Sequence, residues 1–334
     1  MKLNKLIANS KFQLLFVVFI IMSIIFNLQA QNKKNIDSLL KIIKYGKYDT
    51  NRVNALVGLC KEYSTSDLEK AKQYGIQGLQ LSEKIDFING MAQCNNKIGT
   101  IYYYQGNYSK ALESYNKSLK INEKTGDLKG LSGCYNNIGA IHCEQGDYLK
   151  AMEYFQKSLI INEKTGDLKG LSGCYNNIGL IYSAQSNYPK ALEYYQKSLR
   201  LNEKLGNKKV ISENYNSIGA ILKEQGNYSQ SLSYCLKSLK INEELGDKEK
   251  IANSYNNIGV IYEEQQIYPK ALEYFIKSLK INEELGTKKG ISKSYNNIGI
   301  IYKEQGRYTL SLEYYQKSLK LYKELGDKYG LSSV

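Results

Sequence analysis

The sequence INEKTGDLKGLSGCYNNIG occupies residues 121–139, and the same nineteen residues return at 161–179. Its closing phrase recurs every forty residues, as YNNIG at 135–139, 175–179, 255–259 and 295–299, and in variant form as NNKIG at 95–99 and YNSIG at 215–219. A fixed period of this length indicates a repeat architecture, in which one supersecondary unit is stacked on the next. The fold of the chain therefore depends on the fold of one unit.

Each unit has the pattern of two helices joined by a short turn. From Leu171 to Tyr182, apolar residues at i, i+3, i+4, i+7, i+10 and i+11 form one stripe of a helix. The segment 185–188 interrupts that stripe, and most other units place glycine in this turn. Pro189 and Pro269 share a slot in the first turn of the second helix, where a missing N–H is tolerated. Six glycines are predicted to end the second helices: Gly126, Gly166, Gly206, Gly246, Gly286 and Gly326.

A glycine also recurs inside the first helix, where it costs about 1 kcal/mol relative to alanine. The positions are Gly99, Gly139, Gly179, Gly219, Gly259 and Gly299. The repeated cost predicts that the two helices cross too closely there for a side chain. The small residues predicted to face these glycines are Ala111, Ala151, Ala191 and Ala271.

The spacing of these residues resembles a known repeat family. The set Tyr175, Ile178, Gly179, Tyr182, Ala191, Tyr195 and Ser198 resembles the tetratricopeptide repeat, with its aromatic-x2-Leu-Gly-x2-Tyr and Ala-x3-Phe pattern. The forty-residue unit resembles the longer repeats of kinesin light chains and spindle-orientation adaptors. The resemblance implies an all-α fold, a right-handed superhelical solenoid of antiparallel helix pairs. The segment at 35–71, which leads into the repeats, resembles the start of exported bacterial arrays that precede a membrane helix and a histidine kinase.

The period sets the predicted domain boundaries. Residues 1–30 have a basic start, an apolar run and a small residue at the cut, which is typical of a signal peptide; an uncleaved anchor is the alternative. Residues 31–49 are predicted to form a helical cap, residues 50–329 seven repeats, and residues 330–334 the start of a truncated eighth. The chain is therefore predicted to be extracytoplasmic, whether periplasmic, secreted or membrane-anchored.

Charge and reactive side chains exclude several functions. The formal charge of +14 is almost all lysine, spread by the repeat and interleaved with glutamate, which favours a solvated surface over a nucleic-acid interface. Six cysteines lack a CxxC pattern, and we predict small, buried or half-buried thiols without disulfides. His142 fills a slot that holds tyrosine in other units, so we interpret it as a packing residue. We predict no catalytic constellation, metal site or cofactor.

Asparagine recurs at two neighbouring positions of the first helix, shortly before the helix glycine. The first holds Asn96, Asn136, Asn176, Asn216, Asn256 and Asn296, and the second holds Asn137, Asn177, Asn257 and Asn297. In related arrays such asparagines bind the backbone of an extended peptide, a role that suits an amide because it offers both donor and acceptor. The alternative is that they tie adjacent helices together. An acidic line of Glu144, Glu224, Glu264 and Glu304 further along this face suggests a partner with basic character.

The function that follows is binding of a protein or extended peptide in a concave groove, as the sensory part of a signalling protein. A complete secreted scaffold without an output domain is the alternative, and an enzyme accessory is a third possibility. An uncovered apolar face at the last repeat also permits a homodimer. Membrane contact is expected only through the N-terminal segment, if that segment is not cleaved.

Overall fold

The computed structural model describes residues 34–64 and 66–333, which form α-helices and the turns between them, without a strand. A helix at 34–45 (α1) precedes α2 (Thr50–Tyr63), α3 (Leu68–Lys84), α4 (Ile88–Tyr104), α5 (Tyr108–Thr125), α6 (Leu128–Glu144), α7 (Tyr148–Thr165), α8 (Leu168–Ala184), α9 (Tyr188–Leu205), α10 (Lys208–Glu224), α11 (Tyr228–Leu245), α12 (Lys248–Glu264), α13 (Tyr268–Leu285), α14 (Lys288–Glu304), α15 (Tyr308–Leu325) and α16 (Lys328–Ser333). The predicted signal peptide lies outside the described residues. Within the described ranges, no helix has the length and apolar character needed to cross a bilayer.

Successive helices pack as antiparallel pairs, which confirms the predicted all-α solenoid of helix pairs. The chain divides into two compact units, Met1–Ile181 (unit 1) and Tyr182–Val334 (unit 2). In unit 1, α4 pairs with α5 and α6 with α7; in unit 2, α10 pairs with α11, α12 with α13 and α14 with α15. The first helices of neighbouring pairs also touch, α4 against α6 in unit 1 and α12 against both α10 and α14 in unit 2. Within each unit the first helices therefore form a continuous surface, which we call the wall.

From the α4–α5 pair onward, the turn inside each pair is short and has one residue with left-handed backbone. Asn107 ends the first of these turns and accepts a hydrogen bond from the Lys110 N–H at 3.2 Å, which caps α5. Gly106 has a φ of 71°, and Ser186 and Gln266, at the equivalent place, both have a φ of 58°. Glycine is the default there because a Cβ crowds the following carbonyl in this conformation. The predicted turn is confirmed, with two residues held in a conformation that glycine would adopt more easily.

In four repeats the glycine inside the first helix lies beneath a ring, which corrects the predicted contact with alanine. A Cβ on Gly139 would lie 2.8 Å from the Phe155 ring, and a Cβ on Gly99 would lie 2.7 Å from the Tyr115 ring. Alanine contributes backbone instead, because the Ala111 carbonyl oxygen would be 3.2 Å from the same Cβ. The close crossing was predicted correctly, but an aromatic side chain fills the space that glycine leaves.

Isoleucines on the following first helix complete the core. In unit 1, Ile138 and Ile141 are at most 1% exposed and pack against Tyr115 of the preceding pair. In unit 2, Ile258 and Ile261 occupy the same place against α11. Full burial of each such side chain contributes about 1.5–3 kcal/mol. Stacking within each unit is therefore driven by the isoleucines of the repeated phrase.

A series of fully buried amides crosses this apolar core. These seam asparagines are Asn122, Asn162, Asn202, Asn242 and Asn282. Asn242 donates to Ser238 Oγ at 3.4 Å and to Ser254 Oγ at 3.1 Å, which joins α11 to the next first helix. Ser238 Oγ in turn donates to the Ser212 carbonyl at 2.8 Å, which joins α11 to its own first helix. Because buried polar groups are costly unless paired, this network specifies how consecutive helices align.

Candidate functional site

The asparagines predicted to bind a peptide lie on the wall, and we call them the wall asparagines. The set comprises Asn96, Asn136, Asn137, Asn176 and Asn177 in unit 1 and Asn216, Asn256, Asn257, Asn296 and Asn297 in unit 2. All lie on first helices, two or three residues before the helix glycine. Their exposure differs: Asn256 is 4% exposed, Asn296 and Asn297 are 8% exposed, and the others are half-buried.

The two asparagine slots are joined by hydrogen bonds between neighbouring repeats. Asn177 Nδ2 donates to Asn136 Oδ1 at 2.8 Å in unit 1, and Asn297 Nδ2 donates to Asn256 Oδ1 at 2.7 Å in unit 2. The bond from Asn137 Nδ2 to Asn96 Oδ1 is longer, at 3.4 Å. The asparagines thus tie adjacent first helices together, as the alternative interpretation stated. A primary amide has two donor hydrogens and two acceptor lone pairs, so one such bond leaves capacity for a ligand.

Asn216 departs from this pattern. Among the residues that the structure describes, its buried Oδ1 has no hydrogen-bond partner, and the same holds for Asn296 Oδ1. An unpaired buried carbonyl costs about 1–3 kcal/mol, so a donor supplied from outside would recover that free energy. Asn216 lines a cavity of about 260 Å³ in unit 2, together with Asn256, Asn257 and Asn297. The wall of unit 2 therefore has a concave site whose lining includes a hydrogen-bond acceptor without a partner.

Charged residues surround this site. Lys223 and Lys293 line the cavity, and Lys223 forms an ion pair with Glu224 at 2.7 Å. Lys293 is exposed by surface area, yet the protein around its ammonium lowers its pKa, first by desolvation and then through Lys289. Lys223 lies in a groove slot whose residues vary between repeats, as the sequence predicted, whereas Lys293 was missed because its slot holds glutamine and glycine in unit 1.

The predicted acidic line divides into three environments. Glu144, in unit 1, is exposed and accepts a hydrogen bond from the Tyr103 hydroxyl at 3.3 Å. Glu264 and Glu304, in unit 2, flank Glu263, and burial together with these two carboxylates raises the pKa of Glu263 to about 6. Glu224 is already paired with a lysine. The negative charge of unit 2 is therefore concentrated around Glu263, which the predicted line did not include.

His142 and the cysteines have structural surroundings. The His142 ring stacks on Tyr154 with centroids 5.5 Å apart and an interplanar angle of 6°. All six cysteines are free thiols, and burial raises the pKa of Cys60 to about 11 and that of Cys94 to about 12. Thiols with such pKa values stay protonated at neutral pH and react slowly, because the thiolate is the nucleophile. The packing interpretation of these residues fits their contacts.

Comparison with known families accounts for the repeat. The family model described as tetratricopeptide repeat matches residues 133–204, 211–284 and 251–324, and a second model with the same description matches residues 92–124. The chain belongs to the tetratricopeptide repeat (TPR) family. The matched ranges include all ten wall asparagines.

Several solved structures are similar to this chain in fold. RapI in its apo form is 19% identical, with a TM-score of 0.65 over 82% of this chain and 99% of that chain. A STAND protein with a TPR sensor from Pyrococcus horikoshii is 20% identical, with a TM-score of 0.67 over 90% of this chain and 48% of that chain. A Rap protein complexed with Competence and Sporulation Factor is 15% identical, with a TM-score of 0.65 over 85% and 80%. At these identities the likeness shows the fold alone, and no curated protein gives a significant match.

Proposed function

We propose that the TPR wall binds an extended segment of a protein or peptide. The observation that carries this proposal is the unpaired Asn216 Oδ1 of unit 2, which lies at a cavity that Asn256, Asn257 and Asn297 also line. An extended backbone offers N–H and C=O groups in alternation, and amide side chains can pair with either. The same fold in two Rap-type proteins was solved with peptide ligands, Competence and Sporulation Factor and the Phr* peptide, which supports this class of ligand.

The wall amides contribute to the affinity for a peptide but do not select one peptide sequence over another. Each neutral hydrogen bond contributes about 0.5–1.5 kcal/mol net, and ordering of the peptide opposes that gain. Selection among peptides then depends on residues that differ between repeats, such as Lys223, Lys293 and Glu263 of unit 2. The acidic surroundings of Glu263 favour a peptide with a basic residue near that end of the site.

The test uses a peptide library and two matched sets of substitutions. Random peptides displayed on phage are selected against the full chain, and their affinities are measured for the Asn137→Ala, Asn177→Ala, Asn257→Ala triple variant. We expect the affinity of this variant to fall at least about ten-fold, or about 1.4 kcal/mol, because these half-buried amides lie on the wall.

The control is a triple variant of exposed amides on second helices, Asn116→Ala, Gln156→Ala and Gln196→Ala. It should bind the selected peptides as the unaltered chain does. Equal affinity of the wall variant and the control would exclude the wall as the peptide site.

The wider role follows from the N-terminal sequence and the fold. We propose a non-catalytic, extracytoplasmic protein that acts as the sensory or interaction part of a signalling system; a secreted scaffold without an output domain is the alternative. The hydrophobic segment within residues 1–30 supports export. Fractionation of cells that express the natural gene, followed by N-terminal sequencing of the mature chain, tests this location. Recovery of the intact chain from the cytoplasm would contradict it.

Self-association is a second candidate function. On α15, Tyr308 is 71% exposed and Leu312 is 59% exposed, whereas their equivalents Tyr268 and Leu272 pack against the isoleucines of the next first helix. An apolar face of this kind can be covered by a second copy of the chain. Sedimentation of the full chain and of Leu312→Glu tests this: a dimer should become a monomer in the variant, and a monomeric unaltered chain would rule it out.

A further inference from the structure

One repeat of unit 2 lacks the aromatic ring that covers the helix glycine elsewhere. The ring position holds Tyr115, Phe155, Tyr195, Phe275 and Tyr315 at forty-residue spacing, and Cys235 stands there in the remaining repeat of this series. The rings of Tyr115, Phe155, Phe275 and Tyr315 lie against the helix glycine, with Phe275 only 2.5 Å from a Cβ built on Gly259. A thiol is far smaller than a ring, so this repeat has less side-chain volume at the same crossing.

The cavity of unit 2 lies at this crossing. It is lined by Gly219 and Ala220 of α10 and by Ser231 and Cys235 of α11, in addition to the wall asparagines. Ser231 and Cys235 are at most 2% exposed, whereas Ala220 is exposed, so the cavity runs from the interior of the pair to the wall. Its volume of about 260 Å³ exceeds that of an engineered apolar cavity of about 150 Å³ that holds benzene.

The first repeat shows that the chain can fill such a place by itself. Gly75 stands at the ring position there, and a Cβ on it would lie 3.0 Å from Ile98 and 3.4 Å from Cys60. In the repeat of Cys235, a Cβ on Gly219 would meet the Cys235 sulfur at 2.9 Å, the Ser231 carbonyl oxygen at 3.3 Å and the Tyr234 Cβ at 3.6 Å, with no ring atom among these three nearest. The cavity is therefore a feature of this repeat and not of every repeat without a ring.

Apart from the charged residues described above, the remaining lining fits an aromatic group carried by a peptide. Val260 and Ile261 supply apolar surface, and the unpaired Asn216 Oδ1 can accept a hydrogen bond from a peptide N–H or a tyrosine hydroxyl. Tyr115 gives an internal example of the same chemistry, because its hydroxyl donates to Thr100 Oγ1 on the first helix at 3.2 Å. We propose that this cavity is an anchor pocket for a phenylalanine or tyrosine side chain of the peptide bound on the wall. The proposal rests on the proposed peptide-binding function and names the residue class that the site selects.

The probes are small amino-acid derivatives, so that the test does not need the natural peptide. The ¹⁵N-labelled full chain is titrated with N-acetyl-phenylalaninamide, N-acetyl-tyrosinamide, N-acetyl-leucinamide and N-acetyl-alaninamide, with the Gly219 and Cys235 amide signals as the readout. The aromatic derivatives should bind at least ten-fold more tightly than the alanine derivative, with the leucine derivative between them. Equal binding of all four derivatives would overturn the proposal.

Two substitutions close the pocket in different ways. Cys235→Phe supplies the ring that Phe155 and Phe275 supply in their repeats, and Ala220→Leu narrows the mouth with a residue that position 180 already holds. Each should weaken the aromatic probes at least ten-fold. Ala140→Leu is the matched control in unit 1, since the Phe155 ring already lies against the neighbouring Gly139, and it should change nothing. If Cys235→Phe does not fold, Ala220→Leu decides, because residue 220 is exposed.

The outcomes separate this proposal from the one on which it rests. If Ala220→Leu leaves the aromatic probes and the selected peptides unaffected while the wall triple variant loses the peptides, peptide binding stands and the anchor pocket is refuted. If Ala220→Leu abolishes the probes while the wall triple variant keeps its peptides, the pocket stands and the amide wall is refuted.

Discussion

The seam asparagines and the wall asparagines recur with the same period and have the same side chain, but their surroundings differ. Asn162, in the seam, is 2% exposed and donates to Ser158 Oγ at 3.3 Å and Cys174 Sγ at 3.4 Å. Asn177, on the wall, is half-buried and bonds to Asn136 of the neighbouring repeat. An amide enclosed by its own chain holds the fold, and an amide at the surface retains capacity for a ligand.

The difference should be largest in stability. Asn162→Ala removes two buried hydrogen bonds and leaves a cavity, so we expect a loss of about 2–4 kcal/mol in the free energy of unfolding. Asn177→Ala removes one bond near solvent and should cost less than about 1 kcal/mol. Urea unfolding followed by circular dichroism measures both. Equal losses would mean that the wall asparagines are as structural as the seam asparagines.

Two glycines of α6 test the same contrast between interior and wall. Gly139→Ala places a Cβ 2.8 Å from the Phe155 ring, and we expect a loss of about 1–3 kcal/mol from overpacking. Gly133→Ala places a Cβ where no other atom lies within 4 Å, and alanine should gain up to about 1 kcal/mol through its helix propensity. Thermal unfolding of both variants should show shifts of opposite sign. Destabilisation by Gly133→Ala would mean that the wall is as tightly packed as the interior.

Charge on the wall should appear as a smaller, pH-dependent effect in unit 2. Because the folded-state pKa of Glu263 is raised to about 6, ionisation is less favourable in the folded chain than in the unfolded chain. Its contribution to stability is therefore lost as the pH rises from about 4.5 to about 6. Glu263→Gln should remove this loss and gain about 1 kcal/mol at pH 7, after allowance for partial solvent screening.

A carboxylate outside the wall supplies the control. The Glu153 pKa is lowered by its hydrogen bond and ion pair with Lys157, so its linkage has the opposite sign. Glu153→Gln should not raise the melting temperature at pH 7. A melting temperature of Glu263→Gln that rises equally at pH 4 and pH 7 would contradict the assigned cause.

Much of the fold was predictable because the repeat states each local rule several times. Glycine at Gly126, for example, has a φ of 70° and ends α5 as predicted. The contact of the helix glycines was predicted only in part, since periodicity shows that a position must be small but not which neighbour covers it. Ala151 and Phe155 are four residues apart on one helix face. Only the packing shows that the Phe155 ring is the group that covers the glycine.

The site was less predictable, for a physical reason. Asn122 recurs in the sequence as clearly as Asn136, and nothing in the period says which slot is enclosed and which is open. That depends on how neighbouring helices approach, as the 3% exposure of Asn122 and the half-burial of Asn136 show. The cavity did leave a signal, because Cys235 interrupts a column of aromatic residues. The meaning of this interruption becomes clear only in the structure, where the rings of Tyr115, Phe155, Phe275 and Tyr315 lie on glycines.

Side-chain amide NMR tests most directly whether the wall asparagines bind the peptide while the seam asparagines stabilise the fold. The full chain is labelled with ¹⁵N-asparagine, and its side-chain NH₂ signals are recorded with and without a peptide selected from the library. The wall asparagines, including Asn177 and Asn257, should shift on binding, and the seam asparagines, including Asn162 and Asn242, should not. Shifts in the seam signals, or unchanged wall signals at saturating peptide, would contradict the account.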